Sequence, residues 1–286
     1  MKPAPFEYVR PASVAEAISA LAEGGYAAKA LAGGQSLIPA MNFRLAQPAV
    51  LVDLGDLDEL RGIHPRDDGG LVIGAMTLHR EVEHSSLVAE HAPLLSEVMP
   101  WIAHPQIRNR GTVGGSLAHA DPAAELPSVM QVLDAVLHVR GPDGERTVPI
   151  DEFYYGLFTT ALEPDELLTA IEIPPPPAGS RSAFEEVSRR HGDFALAGVA
   201  AVIEQAEDGT VARARLSLLS VGDGPILAER AMASLTGRAL TTESIREAAA
   251  LTAEDLDPPG DIHASAEFRR HLAGVLTTRA LDRLRR

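Results

Sequence analysis

Cysteine is absent from the 286 residues. Its absence removes disulfides, a thiolate nucleophile, cysteine-ligated zinc and cysteine-ligated iron–sulfur clusters from this chain. Basic residues are in deficit, 25 Lys and Arg against 40 Asp and Glu, so the formal net charge is −15. Nucleic acid requires a basic surface that displaces counterions, and an anionic leaflet repels a chain of this charge, so neither is expected as a partner. Only local clusters such as Arg108 with Arg110 are placed to meet an anion. The arginines near the C-terminus (Arg279, Arg283, Arg285 and Arg286) suit the negative end of a helix. No run approaches the ~20 uninterrupted apolar residues of a membrane span, and the N-terminus has no apolar signal core. A cytoplasmic protein without an integral membrane segment is expected. No solenoid-length repeat, G-x-G-x-x-G fingerprint or P-loop occurs either.

What is present is a chain with 45% hydrophobic residues, long enough for one large domain or two ordinary ones. Ser13 followed by Glu16 is a capping-box pattern, and Val14, Ala17, Ile18 and Leu21 are spaced for a helix that Gly24-Gly25 ends. A short strand over 29–32, a helix over 36–45 and a strand over 50–54 complete a small α/β unit with a parallel pair. Two strands follow over 60–73, around the turn at Arg66-Asp67-Asp68-Gly69-Gly70, then helices over 77–83, 94–102 and 126–133. A hairpin over 135–140 and 145–148 precedes a strand over 167–173. The run Pro174-Pro175-Pro176-Pro177-Ala178-Gly179-Ser180 prefers an extended form and marks a boundary. Beyond it, strands over 184–189, 199–204 and 211–219 and helices over 227–235, 244–251 and 262–284 form a smaller α+β unit.

Two glycine-rich loops could carry chemistry. The first, Ala32-Gly33-Gly34-Gln35-Ser36-Leu37, lies between a strand and a helix. The second is Gly111-Thr112-Val113-Gly114-Gly115-Ser116-Leu117-Ala118, followed by His119-Ala120-Asp121-Pro122. Glycine lets the backbone come close to a ligand, and successive amide N–H groups form an anion-binding nest. Two such loops meeting at one point would suit a pyrophosphate, and therefore a dinucleotide. Taken alone, each loop is more often a plain turn.

The stretch from Ala32 to Pro39, with Arg44-Leu45, resembles the first FAD-binding segment of the medium subunits of aerobic carbon monoxide dehydrogenases. The stretch His104-Pro105-Gln106-Ile107-Arg108-Asn109-Arg110 and the second loop, running on into Asp121-Pro122-Ala123-Ala124-Glu125-Leu126-Pro127, resembles the second. Arg189-Arg190-His191-Gly192-Asp193-Phe194-Ala195 is similar to a motif of the C-terminal domain in the same family, the xanthine dehydrogenase family of molybdenum hydroxylases. The resemblance covers nearly the whole chain in order. It implies an α+β fold: a PCMH-type FAD-binding domain (the vanillyl-alcohol-oxidase type) over 1–176, made of two α/β subdomains at about 1–56 and 57–176. A smaller C-terminal α+β domain with a three-stranded antiparallel sheet would occupy 177–286.

The same resemblance implies noncovalent FAD, held at its pyrophosphate by Ala32, Gly33, Gly34, Gln35, Ser36 and Leu37 and by Thr112, Val113, Gly114, Gly115 and Ser116. Ala118 and His119 would line the site, Asp121 and Glu125 would make polar contacts to ribose, ribityl or flavin, and Asp193 would meet the flavin side. It also implies a large partner with a molybdenum cofactor and a small partner with 2Fe–2S clusters, assembled as a dimer of heterotrimers. Electrons would pass from the clusters to FAD and on to an external acceptor. The missing cysteines agree, since clusters must then lie on another chain. Gln35 departs from the histidine that carbon monoxide dehydrogenases often carry there, so the substrate stays open.

Several sharper readings meet simpler ones. His119 with Asp121 could pair a base with a carboxylate, but no nucleophile accompanies them and an electron relay needs none, so no catalytic residue is expected. His104 has no H-x-x-x-H companion and reads as a turn residue, with no metal. Arg108 and Arg110 either meet a phosphate or pin their loop to carboxylates. Trp101 fits core or subunit contact, Tyr154 and Tyr155 fit packing, and Glu185-Glu186 fits a solvated strand edge. Two rival readings are a free-standing flavin oxidoreductase of the same fold with its own substrate pocket, and a scaffold that has lost its flavin.

Overall fold

A computed structural model describes residues 1–285 of the chain; Arg286 lies outside the described residues. The first unit contains β1 (Glu7–Val9), α1 (Val14–Gly24), β2 (Ala28–Leu31), α2 (Leu37–Asn42) and β3 (Val50–Asp53). Its three strands lie in the order β1-β3-β2, all parallel. Ser13 caps α1, its Oγ accepting from the Glu16 amide at 3.2 Å, while the Glu16 carboxylate reaches back to the Ala12 amide at 2.8 Å. Val14, Ala17, Ile18 and Leu21 form the buried stripe that the spacing predicts, packed on Ala28 and Val52.

The second unit is built on a five-stranded antiparallel sheet. Its elements in chain order are β4 (Ile63–Pro65), β5 (Leu71–Gly74), α3 (His79–Glu83), α4 (Ser86–His91), α5 (Pro93–Val98), α6 (Pro105–Arg108), α7 (Val113–His119), α8 (Glu125–Val132), β6 (Val136–Gly141), β7 (Gly144–Pro149), β8 (Tyr154–Gly156), β9 (Thr159–Thr160) and β10 (Leu167–Ile173). The sheet order is β4-β5-β10-β6-β7, and β8 and β9 make a separate hairpin.

The last unit has β11 (Arg181–Ser188), β12 (Ala195–Gln205), β13 (Val211–Leu219), β14 (Ile226–Leu227), α9 (Glu229–Leu235), α10 (Thr242–Glu254) and α11 (Ala266–Arg285). Its sheet is antiparallel in chain order and has four strands, not three. The extra one, β14, takes the first residue expected for a helix, because Ile226 and Leu227 pair with Leu218 and Ser217 before Glu229 begins α9. One face of this sheet packs on α9 to α11, with Val199, Leu216, Leu276 and Leu281 in the core. The other face sends Phe184, Ala200, Val202 and Leu219 into the core of the second unit.

The largest departure from expectation lies in the second glycine-rich loop, most of which is helix. Thr112 caps α7, and Gly114-Gly115 sits in its first turn. Glycine is a poor helix former, but close packing outweighs propensity here. A Cβ on Gly114 would lie 2.4 Å from the Ala75 Cβ, so only glycine lets α7 rest against the end of β5.

Candidate functional site

The two glycine segments meet. A Cβ on Gly33 would fall 2.3 Å from the Arg110 carbonyl oxygen and 2.8 Å from the Gly111 Cα. One on Gly115 would fall 3.2 Å from the Ala32 Cβ and 2.5 Å from Thr112 Oγ1. The strand order places β2 at one edge of the first sheet, so its C-terminal loop can reach α7 of the second unit.

Their hydrogen-bonding capacities differ. In the first segment Gly34 holds a φ of 71°, and the Gln35 side chain donates to the Gly33 carbonyl at 2.9 Å. Among the described residues, the five consecutive amides from Gly33 to Leu37 donate to no group of the chain. In the second segment the amides are occupied. Val113 donates to the Thr77 carbonyl at 3.0 Å, Gly114 to that of Ala75 at 2.8 Å, Gly115 to Thr112 Oγ1 at 3.1 Å and Ser116 to the Thr112 carbonyl at 3.1 Å. The second segment therefore offers close approach and the Ser116 hydroxyl, while the first offers amide donors. Val113 and Gly114 are buried against β5, whereas Gly115, Ser116 and Ala118 keep partial exposure.

His79, which sequence reasoning passed over, braces this arrangement. Its Nε2 donates to the Thr112 carbonyl at 2.9 Å, and burial holds its pKa down at about 4, so the ring is neutral. Arg108 pins rather than binds. The residue is 7% exposed, and its guanidinium forms a bidentate pair with Glu83 at 2.8 and 2.9 Å, adding a bond to the Ile102 carbonyl at 3.0 Å. Arg110 is exposed. Trp101 packs edge-on against Phe184 at 6.0 Å and serves the contact between units. Tyr154 is half-buried against Phe153, and Tyr155 is exposed.

Beyond α7 the chain turns at Ala120, left-handed with φ 52°, into the Asp121 segment. The Asp121 carboxylate accepts from the Ala123 amide at 2.9 Å. Asp121 also lines a cavity of about 340 Å³ with Pro122, Arg189, Asp193, Phe194 and His263, so the structure does bring Asp121 and Asp193 to one cleft. Phe194 is 69% exposed beside it, an apolar ring face that sequence reasoning did not single out. His119 packs its ring on Phe158 at 5.1 Å, and burial lowers its pKa.

Glu125 does not line that cleft. It is 8% exposed at the start of α8, and burial pushes its pKa up to about 7, with Asp121 adding to the rise. Glu186 corrects an expectation. It is not a solvated edge residue but is 7% exposed, on the strand face shared with Phe184, with one carboxyl oxygen lacking a partner. Burial, and then the charge of Glu125, raise its pKa to about 8. Among the described residues no group of three or more His, Asp or Glu side chains is placed to hold a metal.

Comparison with known proteins covers nearly the whole chain. Residues 4–176 match the family described as the FAD binding domain in molybdopterin dehydrogenase, and residues 182–284 match the CO dehydrogenase flavoprotein C-terminal domain. The chain belongs to this flavoprotein family. The 6-hydroxypseudooxynicotine dehydrogenase complex subunit alpha of Paenarthrobacter nicotinovorans is 42% identical over 98% of this chain and 95% of its own. The carbon monoxide dehydrogenase medium chain of Afipia carboxidovorans is also 42% identical, over 99% of this chain and 98% of its own. Among solved structures, a carbon monoxide dehydrogenase from Hydrogenophaga pseudoflava, one that lacks the Mo-pyranopterin moiety of its cofactor, superposes with a TM-score of 0.97 at 40% identity. That match covers 99% of this chain and 98% of the other. The flavoprotein fold expected from the two segments and the C-terminal motif is therefore the one observed.

Proposed function

We propose that this flavoprotein subunit is an electron relay in a molybdenum hydroxylase complex, taking electrons from 2Fe–2S clusters on a small subunit and passing them to an external acceptor. The observation that carries this reading is the run of five unengaged amides from Gly33 to Leu37, set against the exposed side of Gly115 and Ser116. Successive amide donors suit a pyrophosphate. The fit is completed by the cleft of Asp121, Asp193 and Phe194, whose mix of carboxylates and one exposed ring suits a polar chain ending in a flat heteroaromatic. When bound, FAD supplies the ability to accept and release one or two electrons. The chain's own residues bind, orient and shield. Amides 33–37 hold the pyrophosphate, Ser116 approaches it from α7, Asp121 receives hydroxyls, and Asp193 with Phe194 lies toward the ring.

The division into domains falls, on this reading, at the proline run, with the FAD-binding domain over 1–176 and the C-terminal domain over 177–286. The complex is a cytoplasmic dimer of heterotrimers, in which a large subunit carries the molybdenum cofactor and sets the substrate. Relatives named for a nicotine derivative and for carbon monoxide are equally identical to this chain, which agrees with substrate choice lying elsewhere. Among the described residues no helix is long and apolar enough to cross a membrane.

The test is purification through a tag on this chain from its native host. Co-purifying large and small chains, with FAD, molybdenum and iron in the complex, are the expected result. A solitary yellow chain that turns over an organic substrate would instead establish the free-standing oxidoreductase.

A further inference from the structure

The wall of the cleft opposite Asp121 comes from the C-terminal unit, and its parts are linked in series. Arg269, at the first turn of α11, is 6% exposed. Its Nη1 donates to the Leu196 carbonyl at 2.7 Å, to the Ser220 carbonyl at 3.1 Å and to Ser220 Oγ at 3.0 Å. Its Nη2 pairs with Asp261 at 2.8 Å. The other Asp261 carboxylate oxygen accepts from the amides of His263 and Ala264 at 2.8 and 2.9 Å, which fixes the turn. From there His263 Nδ1 accepts from Arg189 Nη1 at 3.0 Å, and Arg189 Nη2 pairs with Asp193 at 3.3 Å. The series starts on a buried arginine and ends on the carboxylate next to Phe194.

A second arm runs from the same arginine. Ser220 holds a left-handed φ of 63°, donates through Oγ to the Ala195 carbonyl at 2.6 Å, and donates through its amide to the Pro122 carbonyl at 2.7 Å. Arg269 thus anchors both lips of the cleft: Asp121-Pro122 through Ser220, and Asp193-Phe194 through Asp261, His263 and Arg189. A non-glycine residue in the left-handed region costs free energy, and it persists where surrounding contacts over-determine it. Here those contacts are the ones that tie the lips together.

We propose that Arg189 and His263 are positioning residues for the flavin ring, holding Asp193 and Phe194 at the mouth of the cleft so that the ring is covered. The inference rests on the proposed function, which places FAD in this cleft. Arg189 and His263 reach the site from the solvent side; both are exposed, so removing either leaves the buried anchor at Arg269 in place. The Nδ1 of His263 acts as an acceptor toward an arginine, so its role is met by a neutral ring or by an amide oxygen.

The experiment uses the complex purified through this chain and measures quenching of flavin fluorescence by acrylamide, which is uncharged and so insensitive to the loss of a guanidinium. Arg189→Met and His263→Ala should retain FAD at the wild-type stoichiometry, because neither residue touches 33–37. Each should raise the quenching constant severalfold. The double variant should do no more than either single, since both cut the same series of contacts. His263→Gln, which restores an acceptor for Arg189, should return quenching to the wild-type value. Unchanged quenching in FAD-loaded single variants, or an additive double variant, overturns the inference alone. A wild-type complex without FAD overturns the proposed function, and this inference with it.

Discussion

Glu125 and Glu186 are two carboxyls with almost no solvent, one opening α8 and the other on β11; the charge of Asp121 adds to the cost of ionising the first, and that of Glu125 to the cost of ionising the second. Burial puts their pKa values at about 7 and about 8, above the ~4.3 of an unfolded glutamate. The sign of the linkage follows. A carboxyl that binds its proton more tightly when folded contributes stability that is full below the unfolded pKa and is lost as pH rises through the folded one. The wild-type chain should therefore lose stability across the window up to about pH 8, on account of this pair. Glu186→Gln keeps the shape and removes the ionisation, so its thermal midpoint should fall less between pH 5 and pH 9, with its advantage over wild type greatest at the alkaline end. Parallel pH profiles for the two proteins would show that the pair does not titrate in this way. His79 has the opposite sign. Its folded pKa of about 4 lies below the usual histidine value, so its share of stability is lost as pH falls through 4.

Helix α7 shows how an element can be hidden by its own composition. Glycines usually announce a loop, yet Gly114 packs on Ala75 at the end of β5, and its amide donates to the Ala75 carbonyl. Gly114→Ala should cost about 1–3 kcal/mol through overpacking, read as a lowered urea midpoint with the slope unchanged. Thr112→Val, which deletes the cap but adds no clash, should cost about 1 kcal/mol. A Gly114→Ala protein as stable as wild type would mean that α7 can slide off β5. Much of the rest was legible. Periodicity located α1, α8, β10 and β13 to within a residue or two, and Ser13 marked the α1 start, because these elements follow their own patterning. β1 was missed because three residues after a proline have no period to read, and its pairing with β3 is a tertiary event. The site divided similarly. The first segment could be found as a run of small residues between strand and helix. That the Val113 and Gly114 amides of α7 are engaged depends on Thr77 and Ala75, which lie far away in sequence. His79 and His263 act through contacts across tens of residues, and no local signal marks them; Arg189 stands in the quoted C-terminal motif, but its bond to His263 is a tertiary event.

At the scale of the molecule, the proline run divides the chain in sequence without separating it in space. Phe184, Ala195, Ala200, Val202 and Leu219 of the last unit share one core with Leu94, Met99, Val129 and Met130 of the second. Polar ties flank that core. Arg213 pairs with Asp134 at 2.7 Å, Arg215 with Asp151 at 2.9 Å, and Arg283 with Glu97 at 2.7 Å, while Ser217 donates to Gln131 inside the interface at 2.7 Å. Surface ion pairs contribute little each, typically below ~1 kcal/mol, so the shared apolar core supplies most of the stability of this contact. Rigid docking also suits the relay, since Pro122 and Asp193 line one cleft from opposite sides of the division and need a fixed separation. Residues 176–179 are exposed, which makes them the accessible place to cut. A protease site inserted there and cleaved should leave two fragments that elute together, retain FAD and unfold in one calorimetric transition. Fragments that part on a sizing column without denaturant would mean that the covalent link, and not the shared core, holds the two lips of the cleft in register.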